Sequence, residues 1–307
     1  MVMSVVMAVY NGEKYLKESI ESILEQTFTD FEFIIINDGS TDSTLAIIKG
    51  YEDHRIKIIN QQNAGLSKSL NNGIAIATGD FIARIDADDS ALPNRLEKQM
   101  EFMVKHPDVV LLGTNANIVD EEGNYLYTSN VERSVNHPSI FETSNPFFHS
   151  SVVFRKNIFD KCGGYNEDVI HHFEDKLLWA KMLTYANLAN LEEALINYRI
   201  TPNGISNKTK KGFLLQKKIS NIYLNGEKVN AKDYQKFINL SQISTNKKHA
   251  LYYNRIAKIN LTIHRNKKEA IKNSFLSLKN VPFNFGALKI LAYTFFRRIV
   301  PKNQNNQ

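Results

Sequence analysis

The chain is poor in several features that mark particular classes of protein. Its 307 residues include one cysteine, Cys162, which excludes an intramolecular disulfide framework and a metal site built from cysteines alone. The apolar segment 1–9 is too short for a membrane-spanning helix or a signal peptide, and we interpret it as a buried strand. Internal repeats are absent, and low complexity is confined to residues 303–307, which we expect to be frayed. A lone thiol fits a reducing compartment, so we expect a cytoplasmic protein, with Cys162 a buried apolar residue and not a nucleophile.

Acidic residues are scarce in the last third of the chain. The composition is that of a globular protein, with 43% apolar and 23% charged residues. However, residues 208–307 hold 21 Lys and Arg against 3 Asp and Glu, a net charge of +18. Residues 1–207 hold 17 against 29, a net charge of −12, which gives +6 for the whole chain. The asymmetry predicts that the basic part faces an anionic partner, such as a membrane surface or a nucleic acid.

Short apolar runs alternate with helix-spaced segments in the first half of the chain. The runs of strand length are residues 4–9, 31–36, 56–59 and 81–85. This alternation predicts βαβ units and therefore an α/β fold with a mostly parallel sheet. Further on, the pattern predicts strands at 109–112, 117–119, 125–127 and 151–154. It also predicts one helix that is opened by Ser90 and Pro93, and two more helices at 158–162 and 173–184. Beyond Asn207 the pattern is helical, without a strand signal.

Three acidic groups follow predicted strands or open helices, and ligands collect at the carboxyl ends of strands in open α/β sheets. Asp38 follows the second strand, where it could accept hydrogen bonds from a ligand. Alternatively, this segment only caps a helix, a role that Ser40 or Asp42 could fill.

Asp86, Asp88 and Asp89 form the second group, and Glu174 and Asp175 the third. Three carboxylates in four residues repel one another unless a cation or ligand neutralises them, and hard oxygens suit Mg²⁺ or Mn²⁺. The alternative is a solvated turn that caps the helix near Pro93. The third group could supply a general base, or it could simply interact favourably with a helix dipole.

Taken together, the order and spacing of these motifs resemble one family. The matching segments are Val9-Tyr10-Asn11-Gly12-Glu13, Asn37-Asp38-Gly39-Ser40, Asn63-Ala64-Gly65-Leu66, Asp86-Ala87-Asp88-Asp89 and Glu174-Asp175-Lys176-Leu177-Leu178-Trp179. Over about residues 3–205 the chain resembles the family 2 glycosyltransferases, inverting hexosyltransferase-type enzymes of the GT-A fold that take sugars from nucleotide donors. The resemblance implies a catalytic domain at 1–205, with a nucleotide-binding half at 1–90 and an acceptor-binding half at 91–205. A basic helical region, 206–307, follows it.

The resemblance also implies a role for each matching residue on the donor side. Asp38 would accept a hydrogen bond from the base, which is uracil in most relatives. Asp86 and Asp88 would form the Asp-x-Asp pair, with Asp88 on a Mn²⁺ or Mg²⁺ ion that bridges the diphosphate and Asp86 beside the ribose and the metal. The full set implied for the nucleotide sugar is Ala8, Val9, Tyr10, Glu13, Asp38, Asn63, Lys68, Asp86, Ala87 and Asp88.

On the acceptor side, Asp175 matches the general base that deprotonates the acceptor hydroxyl. Glu174 would orient this base or touch the acceptor, and His149 and Trp179 would lie near the acceptor. Two positions depart from the family pattern. Leu70 stands where relatives often carry an arginine, which leaves Lys68 as the candidate cation. Thr201 stands where many relatives carry a histidine, which puts a contact from histidine to phosphate or metal in doubt.

Two other functions stay open at this point. A sugar nucleotidylyltransferase would need a glycine-rich phosphate loop after the first strand, and residues 10–14 are too short and too acidic for it. A nucleic-acid binder acting through the basic region would lack the aromatic and basic motifs of known modules, so we expect no nucleic-acid partner. The implied acceptor is a glycan or a lipid-linked glycan, as in the assembly of a capsule or of lipopolysaccharide.

The basic region carries an apolar stripe with helical spacing. Its members are Phe285, Leu288, Leu291, Phe295 and Ile299, flanked by Lys289, Arg297 and Arg298. Two interpretations are open: helices that pack on the catalytic domain with a solvated basic face, or peripheral attachment to the anionic inner face of the cytoplasmic membrane.

Overall fold

The computed structural model describes residues 2–169, 173–204, 210–227, 229, 231–241 and 243–296. The strands are β1 Met3–Val9, β2 Phe31–Asp38, β3 Ile56–Gln61, β4 Phe81–Arg84, β5 Ser90–Ala91, β6 Val109–Val119, β7 Tyr125–Thr128, β8 Ser134–Val135, β9 Val153–Arg155 and β10 Asn187–Arg199. The helices are α1 Leu16–Leu24, α2 Thr44–Lys49, α3 Leu66–Ala75, α4 Arg95–Lys105, α5 Ile140–Thr143, α6 Lys156–Cys162, α7 Glu174–Met182, α8 Lys210–Leu224, α9 Ala231–Ser241, α10 Thr245–Thr262, α11 Lys267–Asn280 and α12 Phe285–Phe296. The predicted boundary at 205–206, the stripe residues Arg297, Arg298 and Ile299, and residues 303–307 lie outside the described residues.

These strands form one sheet in the order β3-β2-β1-β4-β9-β6-β10-β5, with β7 paired to β6 and β8 to β10. β1 pairs in parallel with β2 and β4, and β2 with β3. β9 runs antiparallel between β4 and β6, and β10 runs parallel to β6. The mostly parallel α/β fold predicted from the sequence is therefore confirmed.

The strands at the start of the chain are covered on both faces of the sheet. All residues of β1 and β2 are buried. Because side chains alternate along a strand, Val6 packs in one cluster with Leu70 of α3, whereas Val5 packs in another with Leu16 of α1. Helices on both faces are typical of parallel sheets, and they leave the carboxyl ends of the strands as the accessible edge.

β10 is the main element that the sequence pattern did not predict. Its register against β6 shifts between Leu191 and Ala194, so Glu192 and Glu193 lie at an irregularity that breaks the alternation of side chains. β6 is one continuous strand, where the pattern predicted two. Residues 90–91 form β5 instead of opening a helix, and α4 begins at Arg95.

The helices after residue 209 pack on the sheet and on one another. Tyr252 and Ile256 of α10 contact the side chain of Ile118 in β6, and Ile219 of α8 packs near Phe173. Of the two interpretations of the basic region, packing on the rest of the protein therefore applies to α8, α9 and α10. None of the helices within the described ranges combines the length and the hydropathy that a membrane-spanning segment needs.

Candidate active site

A cleft of about 760 Å³ opens at the carboxyl ends of β1, β2 and β4. Its walls come from chain segments that are far apart in the sequence, and the parallel strand order brings these segments to one edge. The predicted nucleotide-binding residues that line it are Ala8, Val9, Tyr10, Asp38, Asn63, Asp86, Ala87 and Asp88. The structure thus brings together eight of the ten side chains that the resemblance assigned to the donor.

The other two predicted donor residues, Glu13 and Lys68, are not among the residues that line the cleft. The Glu13 carboxylate accepts a hydrogen bond of 2.9 Å from the backbone N–H of Ser43, and Lys68 forms an ion pair of 3.1 Å with Glu167. Lys68 is thus paired with Glu167 and does not line the cleft, and its role as the cation in place of an arginine at position 70 stays a prediction. Lys14 lines the cleft instead.

Asp38 is a buried carboxylate that organises the loop before α3. Its Oδ1 accepts hydrogen bonds from the Ala64 N–H and from Gln61, both at 2.8 Å, and its Oδ2 accepts one from the Gly65 N–H at 2.9 Å. Asp42, and not Asp38, accepts the N–H of Thr44 at the start of α2. The helix-capping alternative therefore applies to Asp42 and leaves Asp38 on the wall of the cleft.

Gly39 allows the loop after β2 to approach the loop that carries Asn63. Its φ is +75°, and a Cβ atom at this position would lie 2.6 Å from the backbone nitrogen of Asn63. Any other residue would therefore be strained and would push the two loops apart. This close approach keeps Asp38 and Asn63 on the same wall.

Residues 86–89 are held by buried groups and do not form a solvated turn. Arg84, which is 1% exposed, forms an ion pair with Asp86. Ser150 Oγ lies 2.7 Å from Asp86 Oδ2 and also contacts Asp89. A hydroxyl has one proton and can donate to only one of these carboxylates. Burial, followed by the charges of Asp88 and Asp86, raises the pKa of Asp89 well above its usual value, so a protonated Asp89 can donate to Ser150 in turn.

Asp88 is the second carboxylate of this turn that lines the cleft. Within the described ranges no cationic side chain forms an ion pair with its carboxylate, and burial together with the charge of Asp86 raises the pKa of Asp88 to about 7. Burial acts in the same direction on Asp86, but the charge of Arg84 and the hydrogen bonds from Ser150 and Arg84 reverse the effect and lower the pKa of Asp86. The described residues include no group of three or more His, Cys, Asp or Glu side chains that could hold a metal ion.

Glu174 and Asp175 open α7, outside the residues that line the cleft. Asp175 Oδ2 accepts a hydrogen bond of 2.6 Å from the Asn145 side chain. Burial, followed by the charge of Glu174, raises the pKa of Asp175 to about 7, and the charge of Asp86 adds to this increase. A carboxylate whose environment was dominated by a helix N-terminus would have a lowered pKa instead. The raised pKa of Asp175 therefore reflects burial beside Glu174 and not the helix N-terminus.

An aromatic cluster lies between the acidic turn and α7. His149 Nε2 lies 2.8 Å from the hydroxyl oxygen of Tyr165, and the His149 and Trp179 rings meet edge to face at 5.8 Å. Burial, followed by the charge of Arg84, lowers the pKa of His149 to about 3, so its ring is neutral at physiological pH. Trp179 is fully buried, so it has no surface for direct contact with an acceptor, and its predicted place near the acceptor stays a prediction. Its ring packs against those of His149, Phe154 and Tyr165.

Comparison with known proteins decides the family. The family model described as Glycosyl transferase family 2 matches residues 4–166, more than half of the chain. The chain belongs to this family. Membership supports glycosyl transfer over the nucleotidylyltransferase alternative.

Individual relatives of this family 2 glycosyltransferase each match about two thirds of the chain. EpsE of Bacillus subtilis is 40% identical over 202 residues, which are 64% of this chain and 72% of EpsE. The O-antigen biosynthesis glycosyltransferase WbnJ of Escherichia coli is 37% identical over 207 residues, 64% of this chain and 79% of WbnJ.

Solved structures of low sequence identity share the fold. The structure of S. aureus TarS 1–349 in complex with UDP-GlcNAc superposes with a TM-score of 0.57 at 20% identity, covering 92% of this chain and 82% of that one. The chain spans 55% of the longer TarS chain, with a TM-score of 0.56. The glycosyltransferase therefore has the GT-A fold.

Arg199 is a residue of this glycosyltransferase whose part in the site the sequence did not reveal. Its backbone N–H donates to Asp89 Oδ1 at 2.7 Å, and its Nε donates to the carbonyl oxygen of Asp88 at 3.0 Å. The guanidinium also pairs with Glu18 and lies 4.8 Å from the centre of the Tyr15 ring. Arg199 thereby fixes the acidic turn to α1. The only sequence signal was that Arg199 lies in the segment Tyr198-Arg199-Ile200, which precedes the departure from the family pattern at Thr201.

Other residues that line the cleft were not singled out from the sequence. They are Lys14, Tyr15, Ser69, Glu121, Pro202, Asn203 and Gly204. Thr201, where many relatives carry a histidine, also lines the cleft. Lys14 and Glu121 form an ion pair with each other. Leu70, where the sequence departs from the family pattern, and the neighbouring Asn71 do not line the cleft. Asn71 instead binds the backbone carbonyl oxygen and N–H of Tyr165, each at 2.9 Å.

Proposed function

We propose that this glycosyltransferase moves a sugar from a nucleotide-diphosphate donor, a UDP-sugar, to a hydroxyl group of a glycan or lipid-linked glycan. The transfer inverts the configuration at the anomeric carbon. The observation that carries the proposal is the convergence of Asp38, Asp86 and Asp88 on one cleft in a chain of this family. Two neighbours in fold support a donor of this class. TarS 1–349 was solved with UDP-GlcNAc, and a mannosyltransferase of Pyrobaculum calidifontis, at a TM-score of 0.51, with GDP-Man and Mn²⁺.

In this proposal Asp38 recognises the base. Each of its oxygens already accepts a backbone N–H, from Ala64 or Gly65, so the carboxylate is fixed in position before the donor arrives. A carboxylate oxygen can accept a second hydrogen bond, which an N–H of a pyrimidine base can donate. Preorganisation of this kind lowers the entropy lost on binding.

The acidic turn fits a divalent cation. Asp88 offers hard oxygen ligands with no ion-pair partner among the described side chains, and Asp86 stays ionised beside Arg84. With only these two protein carboxylates, the ion would complete its coordination with diphosphate oxygens and water, as Mg²⁺ commonly does. A bound ion would neutralise the charge that develops on the leaving diphosphate.

Asp175 acts as the general base for the acceptor hydroxyl. A base is most effective when its pKa lies near the ambient pH, and the environment of Asp175 raises its pKa to about 7. Glu174 contributes to this pKa through its charge. Removal of the proton as the acceptor oxygen attacks in line gives inversion in a single step, without a covalent intermediate.

The acceptor and location follow from the class of relatives. The name of WbnJ refers to O-antigen biosynthesis, so we propose that this enzyme also assembles a bacterial polysaccharide, such as a capsule or a lipopolysaccharide O-chain. Its location would be cytoplasmic, where nucleotide sugars supply such pathways, with a contact to the inner face of the membrane that is argued below.

A calorimetric screen of UDP-GlcNAc, UDP-glucose and GDP-mannose, each with and without Mn²⁺, tests the donor and the metal together. We expect a UDP-sugar to bind and Mn²⁺ to tighten it. With the donor known, Asp175→Asn should lower kcat about 10²–10⁴-fold without weakening donor binding. Asp30→Asn, an exposed aspartate remote from the cleft, serves as the matched control. Full activity of Asp175→Asn would refute its assignment as the base.

A further inference from the structure

The last described helix, α12, exposes several large apolar side chains to solvent. Phe285 is 82% exposed, Phe295 66% and Leu288 41%. Their spacing of three and seven residues places them on one face of the helix. Phe283, in the turn before the helix, is 81% exposed. We call these four residues the α12 patch. A helix at the surface of a water-soluble domain normally has the opposite arrangement, with its apolar face toward the core.

The opposite face of α12 is fixed against α10 by small residues. Ala287 is fully buried, and a Cβ atom on Gly286 would lie 2.4 Å from the side-chain nitrogen of Asn254. The turn before the helix is also fixed, because Asn284 accepts the Gly286 N–H and donates to Ser277 Oγ, both at 3.0 Å. Rotation that buried the α12 patch would break these contacts, so the exposure of the patch is built into the packing.

Basic residues surround the α12 patch. Lys279, in the last turn of α11, and Lys289, beside Leu288, are both exposed. Residues 267–296 contain five lysines and one acidic residue, Glu269. Exposed phenylalanines flanked by lysines, with hardly any acidic groups, match the two components of an anionic lipid surface, namely its apolar interior and its phosphate groups.

We propose that the α12 patch inserts into the headgroup region of an anionic membrane. The twelve residues of α12 form a rod of about 18 Å that would lie parallel to the surface. Its phenylalanines would enter the boundary between headgroups and acyl chains, while Lys279 and Lys289 contact lipid phosphates. The proposal extends the partners named under the proposed function but does not depend on the transfer reaction, and its test needs neither donor nor acceptor.

Cosedimentation of the full-length protein with lipid vesicles tests this proposal. We expect binding to vesicles of phosphatidylcholine mixed with phosphatidylglycerol, weaker binding at high salt, and little binding to phosphatidylcholine alone. The double variant Phe283→Ser/Phe285→Ser should lower the partition coefficient at least tenfold because it removes two inserting side chains. The double variant Lys279→Gln/Lys289→Gln should lower it roughly thirtyfold on anionic vesicles.

Val104→Ser, an exposed apolar residue on α4, is the matched control for the phenylalanines, and Lys17→Gln, exposed on α1, is the control for the lysines. Both should bind vesicles as the wild type does. Absence of wild-type binding to anionic vesicles at low salt overturns the proposal, as does equal binding by the phenylalanine variant. Self-association that the phenylalanine variant abolishes would assign the α12 patch to a second copy of the chain and would also overturn it. Thermal melting of each variant confirms that it is folded.

Discussion

Replacing Asn145 by alanine tests the role of Asp175 through its pKa. The Asn145 side chain donates a hydrogen bond of 2.6 Å to Asp175 Oδ2. Burial and the charge of Glu174 raise the pKa of Asp175 to about 7 even though this hydrogen bond lowers it. A hydrogen bond to a charged group is worth about 1.5–3 kcal/mol, and the exposure of Asn145 favours the low end of that range. At about 1.4 kcal/mol per pKa unit, Asn145→Ala should therefore raise the pKa of Asp175 by about one unit.

The sign of the effect on activity follows from the form of the base. Only deprotonated Asp175 can accept a proton, so wild-type kcat/KM should rise with pH through about 7 and then level off. In Asn145→Ala the same rise should occur about one unit higher. At pH ~7 the variant should be roughly fivefold slower than the wild type, and above pH ~9 the two should agree.

The assay is the initial rate of release of the nucleotide diphosphate at acceptor concentrations well below KM, where the rate is proportional to kcat/KM, measured over a pH series. Ser144→Ala is the control, because Ser144 is the exposed neighbour of Asn145 and its hydroxyl donates to the carbonyl oxygen of Ile140, not to Asp175. A loss of activity that is equal at every pH would mean that Asn145 acts on structure alone. A rise that stays at the wild-type pH would mean that a group other than Asp175 titrates, and the assignment of the base would fail.

Three further substitutions separate roles within the site. Asp38→Asn should raise the Kd for UDP about tenfold in calorimetry by removing a charge-assisted hydrogen bond to the base, with the melting temperature as a check on the Ala64–Gly65 loop. Trp179→Ala should lower the free energy of unfolding by about 3–5 kcal/mol in urea, which follows from full burial and would be too large for an exposed residue that contacts acceptor. Arg199→Lys keeps the charge but loses the planar guanidinium, and should raise the KM for the donor about tenfold with little change in the pH at which activity rises.

The parallel half of the fold was predictable because its local signals agree with one another. The strands at 3–9 and 31–38 are buried throughout, so they appear as mainly apolar runs, with Ser4 and Glu32 as the polar exceptions before Asn37. Asp38 and Asp86 follow such runs directly, and the topology of a parallel sheet then requires them to meet at one edge. For this reason the sequence was sufficient to predict which acidic residues lie together on this side of the cleft.

The other half was harder to predict because its order comes from contacts that are remote in sequence. β10 is interrupted by Glu192 and Glu193 at a shift of register, so its alternation is lost. Trp179 lies four residues after Asp175, at the end of the matching segment. A sequence motif does not reveal whether its aromatic residue faces the cleft or the core. Arg199 acquires its role only when β10 lies beside the acidic turn, 110 residues away in the chain from Asp89.

The charge balance of the acidic turn leads to a last prediction. Asp86, Asp88 and Asp89 lie near the guanidinium groups of Arg84, Arg95 and Arg199, yet burial and repulsion between the aspartates raise the pKa of Asp88 and of Asp89. Of these two, Asp88 lines the cleft whereas Asp89 is buried. A raised pKa means that the ionised carboxylate opposes folding: the folded state is favoured below the usual aspartate pKa, and this advantage is lost as the pH rises through about 7. Without metal at pH ~8, Asp88→Asn should therefore melt at a higher temperature than the wild type. Mn²⁺ should raise the melting temperature of the wild type and leave that of Asp88→Asn nearly unchanged. An equal response of both proteins to Mn²⁺ would place the ion elsewhere.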